Sequence, residues 1–357
     1  MATYRYLFAD LRTNQVLAEL PLKSPHFELG LPRAGAFSGS LPLGDAKIAA
    51  LDPINATIPT RTAVYVDRDG VLLWGGIIWT RRYRSNSKTL ELTGAEFRSY
   101  FDYRQIITTA PFAGIDQLAI ARSLVTAAQA YTGGDIGVTV GAETSGVLRD
   151  RTYNGYELKN VGEALTQLCE VDAGFDLAVD VAYVAGVPTK TLALGYPRRG
   201  RRAPDSGWMF EYPGNITDYE WPEDGTGMAT TRRATGAGDQ QGMLIATAPD
   251  TSLIDAGYPL LEDSRAYGDV VVQATLQAHA NADLAASRQV LTIPTITVRA
   301  DMDPMIGTYI VGDDCRVRIQ DERFPAGIDG FFRIVNITVD PQDNGPEKVV
   351  LTLGQAL

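Results

Sequence analysis

The chain has 357 residues, 45% of them hydrophobic and 21% charged. That excludes a disordered or fibrous chain and is longer than one core usually serves, so two or three domains are expected. The net charge is −11; residues 1–107 hold 13 basic against 10 acidic side chains, so the remaining 250 carry −14, a poor balance for gripping nucleic acid by its phosphates.

No stretch reaches the ~20 apolar residues of a membrane helix. The start, MATYRYLFADLRTNQ, lacks the pattern of a signal peptide, so synthesis in a cytoplasm without general export is expected. The two cysteines, Cys169 and Cys315, are far apart and outside any CxxC, which points to buried thiols and not to a disulfide framework or thiolate metal site.

The first hundred residues read as β structure. Residues 5–22 form two strands around an Arg-Thr-Asn turn, and 27–43 are extended and punctuated by Gly and Pro. In 63–80, Asp69-Gly70 separates two β-rich runs, a strong hairpin signal. Residues 88–94, KTLELTG, add a third strand after the polar tip Ser-Asn-Ser-Lys. In WGGIIWTRRYR (74–84), period two puts Ile77, Trp79 and Tyr83 on one inward face, with Arg81 forced out at the rim or onto a carboxylate. Gly75-Gly76 reads as a bulge or bend.

The texture changes near residue 108. Leu118, Ala121, Leu124, Val125 and Ala128 make a helical stripe within 114–131. A second helix over 160–174 opens with Asn160 and Glu163 as a capping box and stops near Gly174. A hairpin follows, FDLAVDVAYV and TKTLALGYP, then the basic loop PRRGRRAPDSG (197–207). From 208 strands return; a helix is expected at about 269–287, and TIPTITVRA, CRVRIQDERF, DGFFRIVNITVD and EKVVLTLG read as strands.

The order strand, turn, long strand, polar tip, strand closed by glycine occurs near residue 64 and again near 316, ending at Gly94 and Gly354. The last strand's alternation slips by one residue between the copies. The expected fold is α+β, mostly β. A first β-barrel (1–107) and a second (207–240 with 288–357) flank an α/β insert (108–206), with a loop and helix (241–287) inserted in the second barrel.

Chemistry is sparse. His26 and His279 are the only histidines and belong to no metal-binding pattern. GAFSGS (35–40) is not a nucleophile elbow and reads as a flexible loop; GAGDQQG (236–242) lacks dinucleotide-loop spacing. The acids Asp218, Glu220, Glu223, Asp224, Asp301, Asp303, Asp313 and Asp314 read as turns, and neither DMDP nor GDD matches a calcium loop. No catalytic, cofactor-binding or metal residue is assigned. RRGRR (198–202) is open to three readings: nucleic acid, a subunit contact or plain surface. Arg82, Arg84, Arg198, Arg199, Arg201 and Arg202 are the candidates for subunit contact.

LELTGAEFRSYFDYRQI (90–106), YPLLEDSRAYGDVVVQATLQAHANADLAAS (258–287) and GIDGFFRIVNITVDPQDNGPEKVVLTLG at the end together resemble tail hub, or minor tail, proteins of long-tailed phages, of the kind found in actinobacteriophages. The resemblance implies a trimer in which two barrels per copy form a pseudo-sixfold ring. Such a ring joins a hexameric tail tube to the distal tip and passes DNA during ejection, which a net acidic ring permits because it offers few phosphate traps. Implied partners are the distal tail protein, the tape-measure protein, tip and fibre proteins, DNA in transit and the host cell envelope. The implied location is the distal end of the virion tail, after synthesis in the bacterial host's cytoplasm, with no cofactor. Hubs of this class that degrade cell wall carry extensions, whereas this sequence ends at Leu357, so a non-enzymatic role is expected. Two other classes stay open: a glycan-binding receptor module, which exposed tryptophans would favour, and a cell-wall hydrolase.

Overall fold

The computed structural model describes residues 2–171, 173–238, 242–268, 270–288, 292–342 and 347–355. It is mostly β and falls into two compact units, Met1–Tyr219 with Thr295–Leu357, and Glu220–Pro294.

In the larger unit the chain begins with β1 (Tyr4–Asp10), β2 (Val16–Glu19), β3 (Lys23–Gly30) and β4 (Ala36–Pro42). Two single-turn helices follow, α1 (Ala46–Ala49) and α2 (Pro53–Ala56), and then the meander β5 (Thr62–Arg68), β6 (Val71–Arg84) and β7 (Thr89–Glu96). The β5–β6 turn is the expected one: Asp69 and Gly70 have φ of 52° and 88°, as a type I′ turn requires. Residues 36–40, expected as a loop, are strand; Phe37, buried at its start, stacks on Trp74 at 5.1 Å.

A short 3-10 helix, Phe97–Tyr103, leads to β8 (Ala110–Asp116), α3 (Gln117–Gln129), β9 (Val138–Val140), β10 (Leu148–Tyr153), α4 (Val161–Glu170), β11 (Asp176–Val184) and β12 (Val187–Gly195). Both helices are capped by acceptors at their first free N–H groups. Asp116 accepts from Leu118 and Ala119, and Asn160 from Glu163. The expected capping box is half formed, because the Glu163 carboxylate takes Lys159 and Gln167 instead. The expected stripe of α3 is buried, and its core continues into Tyr65, Ile77, Phe97 and Phe101.

After the basic loop come β13 (Met209–Tyr212) and β14 (Ile216–Glu220). Beyond Pro294 lie β18 (Thr295–Arg299), β19 (Asp314–Ile319), β20 (Ile328–Asp340) and β21 (Lys348–Gln355). The smaller unit is β15 (Thr231–Thr235) between β16 (Ile245–Pro249) and β17 (Glu262–Ala266), with α5 (Thr251–Asp255) and α6 (Gln273–Ser287). Its core is small-residue packing of Ala234, Ala246, Ala248, Leu276 and Ala280. Helix α6 starts later than expected; of the expected start, Asp269 lies outside the described residues.

The strands of the two expected barrels form one hydrogen-bonded path, β14-β18-β21-β20-β3-β4-β7-β6-β5-β1-β2, with β13 and β19 branching from β20. Among the described residues neither half closes on itself. Within the path the duplication is plain: β3-β4-β7-β6-β5 and β14-β18-β21-β20-β19 have the same order relative to the chain. Bulges sit at matching points, between Ile78 and Thr80 of β6 and between Ile334 and Asn336 of β20. Thr80 pairs with Thr93 where Asn336 pairs with Thr352. Leu90 and Leu92 therefore match Val349 and Leu351, all buried. Aligned this way the last strands are in phase. It was matching Gly94 to Gly354 that made the alternation slip.

The bulge also corrects the reading of 74–84. Ile77 lies opposite Ala95, whereas Tyr83 lies opposite Leu90, five residues along β7. The two side chains thus take opposite faces, and Tyr83 is exposed. Arg81 leaves the sheet without a carboxylate and donates to the Ile54 carbonyl at 2.6 Å. Gly75-Gly76 is not the bulge. A Cβ on Gly76 would meet the Ala95 oxygen at 2.2 Å, and one on Gly75 would meet Val181 at 2.7 Å and Phe97 at 2.8 Å. These glycines let β6 be packed closely on both faces.

Lys190 ties the α/β portion to the first half. Its buried Nζ donates to the carbonyls of Leu11 (3.0 Å) and Ile136 (2.6 Å) and lies 4.8 Å from the Phe97 ring. Burial pulls its pKa down to about 8, and the neutral amine keeps both hydrogen bonds. Lys190→Ala leaves two buried carbonyls and a void. It is expected to cost about 2–4 kcal/mol in urea or thermal unfolding.

Candidate assembly interface

The join between the two duplicated halves is a strand ladder. Phe27, Glu28, Leu29 and Gly30 of β3 pair antiparallel with Val339, Thr338, Ile337 and Asn336 of β20. Backbone groups on a sheet edge need partners, and here each half supplies the other's. The ladder uses the part of β20 beyond its bulge, because β19 covers only Ile328–Arg333.

Side chains lock the seam. His26 on β3 bridges Asp340 on β20 (Nδ1 to Oδ1, 2.7 Å) and Glu28 (Nε2 to Oε1, 3.2 Å). Partial burial lowers its proton affinity, but the two carboxylates outweigh this and leave its pKa raised. On another side Glu347 accepts from the Tyr4 hydroxyl (2.9 Å) and the Arg68 Nε (3.0 Å), tying the start of β21 to β1 and β5. Glu96 closes the loop after β3, accepting from the Gly35 N–H at 2.5 Å. A Cβ at Gly35 would stand 1.8 Å from the Glu28 oxygen, so only glycine fits. Burial pushes the Glu96 carboxyl up to about 7 despite that bond.

The basic loop forms a second internal junction. Arg198 pairs with the buried Asp314 at 2.7 Å, and Arg199 with Asp180 of β11 at 2.6 Å. The Arg199 N–H meets Asp176 at 2.7 Å, and Asp176 also holds Arg333 of β20. Asp313 accepts from the Arg201 N–H (2.6 Å), the Ile310 N–H (3.0 Å) and the Trp208 indole (3.1 Å). Gly200, at φ 90°, lets the loop pass against Gly312. The loop thus joins the α/β portion to the second half, a role outside all three sequence readings. Arg201 lies 4.9 Å from the Trp208 ring, and its neighbour Arg202 is exposed.

On β6, Arg82 and Arg84 are exposed, with Arg84 paired to Glu91. The remaining sequence candidates are dispersed. His279 stacks on Tyr267 at 4.2 Å in the smaller unit, and Asp301 pairs with Arg299 at 2.9 Å. Among the described residues no group of three His, Cys, Asp or Glu is placed to hold a metal. Asp239–Gln241 of GAGDQQG and the terminal Leu357 lie outside the described residues. The sequence singled out His26 without a site role, which agrees with its structural place here, but gave no sign of Asp340, Glu96 or Glu347, whose partners lie more than 60 residues away.

Two pH dependences follow. The raised His26 stabilises the seam below its unfolded pKa of 6.5, and this is lost as pH rises through the folded value. His26→Gln should therefore destabilise more at pH 6 than at pH 9 in denaturant titrations. Glu96 binds its proton more tightly when folded, so native stability falls as pH rises from 4.5 to about 7. Glu96→Gln removes that slope, gaining on the native chain by at most about 3 kcal/mol at pH 8.

No family model matches the chain. No curated protein matches it either. Solved structures do. A tail protein from Neisseria meningitidis MC58 aligns at TM-score 0.61 with 17% identity over 98% of this chain and 96% of that one. The 43 kDa tail protein of prophage MuSo2 from Shewanella oneidensis aligns at TM-score 0.66 with 13% identity over 99% of both. Prophage tail protein gp18 from Listeria monocytogenes EGD-e aligns at TM-score 0.51 with 13% identity over 98% of this chain and 94% of that one. Nearly end to end, the chain has the fold of these phage tail proteins.

Proposed function

We propose that the chain is a structural component of a phage tail, a non-enzymatic hub at its distal end. The observation that carries this reading is the duplication: two five-strand units of identical order, joined edge to edge by β3 and β20. Strands β1–β7 form one hub domain, β13, β14 and β18–β21 the other, with the α/β portion between. Three copies give six similar units, the number needed to meet a sixfold tube above while presenting threefold symmetry to a tip below. The shared fold of the tail proteins supports the same reading. The partners are then the tube-side distal tail protein, the tape-measure protein and tip or fibre proteins. DNA passes through the ring during ejection without sequence-specific contacts, and the acidic chain suits that transit. Exposed Arg82, Arg84, Arg201 and Arg202 serve contacts between copies or with neighbours, whereas Arg198 and Arg199 are committed within the chain.

A glycan-binding module is the weaker reading. Trp74 is buried against Phe37, Trp79 donates to Ser99 and stacks on Tyr103, and Trp208 donates to Asp313. Trp74 is thus closed off in the core, and the half-buried Trp79 and Trp208 have their indole N–H groups committed within the chain.

The assembled species should have three times the 38.6 kDa chain mass, measured by native mass spectrometry on isolated tail assemblies or concentrated protein. A monomer under both conditions contradicts the ring.

A further inference from the structure

Within one copy the ladder uses two edges, the part of β20 beyond its bulge and the outer edge of β3. By the duplication, the β20 edge matches Thr80–Arg84 of β6, and the β3 edge matches the end of β14 at Tyr219 and Glu220 together with the residues after it. Among the described residues both are open. Beyond its bulge β6 pairs only with β7, and β14 pairs only with β18. Thr80 stands where Asn336 stands, Tyr83 where Val339 stands and Arg84 where Asp340 stands. The Arg299 N–H donates to the Asn215 carbonyl at 2.9 Å, which sets β14 against β18 and brings Tyr219 and Glu220 to the positions held by His26 and Phe27.

We propose that the end of β6 in one copy meets the end of β14 in a second copy antiparallel, Tyr83 opposite Glu220 and Arg84 opposite Tyr219, in the register that Val339 and Asp340 keep with Phe27 and His26 within each copy. This rests on the ring reading and supplies its seam. The charges fit. The β6 edge carries Arg81, Arg82 and Arg84; the β14 edge carries Asp218 and Glu220, both exposed. In the internal seam the long strand instead carries the acid Asp340, held by His26 of β3, whose neighbour in the ladder is Glu28. An arginine-bearing long strand thus distinguishes the edge between copies from the edge within one. Each copy has one basic and one acidic edge left over. The contact is head to tail, and a ring is the arrangement that leaves no such edge exposed.

The test is a cysteine pair, Tyr83→Cys with Glu220→Cys, in the full chain. Oxidation should give reducible dimers and trimers, whereas each single variant should give none and an equal mixture of the two should stop at dimers. Arg82→Glu with Arg84→Glu should weaken trimer formation at least ~10-fold, and adding Asp218→Arg with Glu220→Arg to the same chain should restore it. Trimers that neither cross-link at this pair nor respond to charge reversal place the seam elsewhere and leave the ring reading intact. A chain that is monomeric both in solution and in tail assemblies overturns both.

Discussion

The backbone ladder between Phe27–Gly30 and Asn336–Val339 is the constraint on which the rest of the larger unit is arranged. Each duplicated half is a set of five hydrogen-bonded strands whose first strand and longest strand would otherwise show bare N–H and C=O groups. Joining them satisfies one edge of each. Around that ladder the chain places its most specific side-chain contacts: His26 between two carboxylates, Glu347 holding Tyr4 and Arg68, and Glu96 fixing the turn at Gly35. Charges buried near such a seam cost desolvation and add little net stability, but they penalise any other register.

The α/β portion braces this arrangement from one side. Its helices share a hydrophobic core with Tyr65, Ile77 and Phe97, Lys190 reaches across to Leu11, and the basic loop grips Asp313 and Asp314 where β19 begins. The sheet is consequently buried on both faces around β6, which is why Gly75 and Gly76 are glycines and why Trp74, Ile77 and Ile78 are all fully buried.

Much of this was legible in the residues, for local reasons. Asp69-Gly70 dictates its own turn, Asn160 caps its own helix, and the buried stripe of α3 follows from spacing. The duplication was visible as an order of elements. What failed was non-local. A bulge beyond Ile78 inverts the alternation, so Tyr83 does not share the face of Ile77; nothing in WGGIIWTRRYR marks where the extra residue falls. A strand buried on both faces hides its period altogether. The glycine-punctuated stretch after Gly35 resembles a loop but is strand, because its partners β3 and β7 come from elsewhere in the chain. The basic loop has the composition of a surface patch, and only the fold brings the aspartates that absorb it. Of the proposed assembly surface, Arg82 and Arg84 of β6 stand among the sequence candidates, whereas Asp218 and Glu220 read from sequence only as turn acids.

A cryo-electron microscopy map of the isolated assembly tests the central claim most directly. The account predicts three copies in a closed ring, with six five-strand units around the axis, joined alternately within chains by β3 and β20 and between chains by the ends of β6 and β14. A map in which β6 beyond its bulge and the outer edge of β14 both face solvent would contradict it.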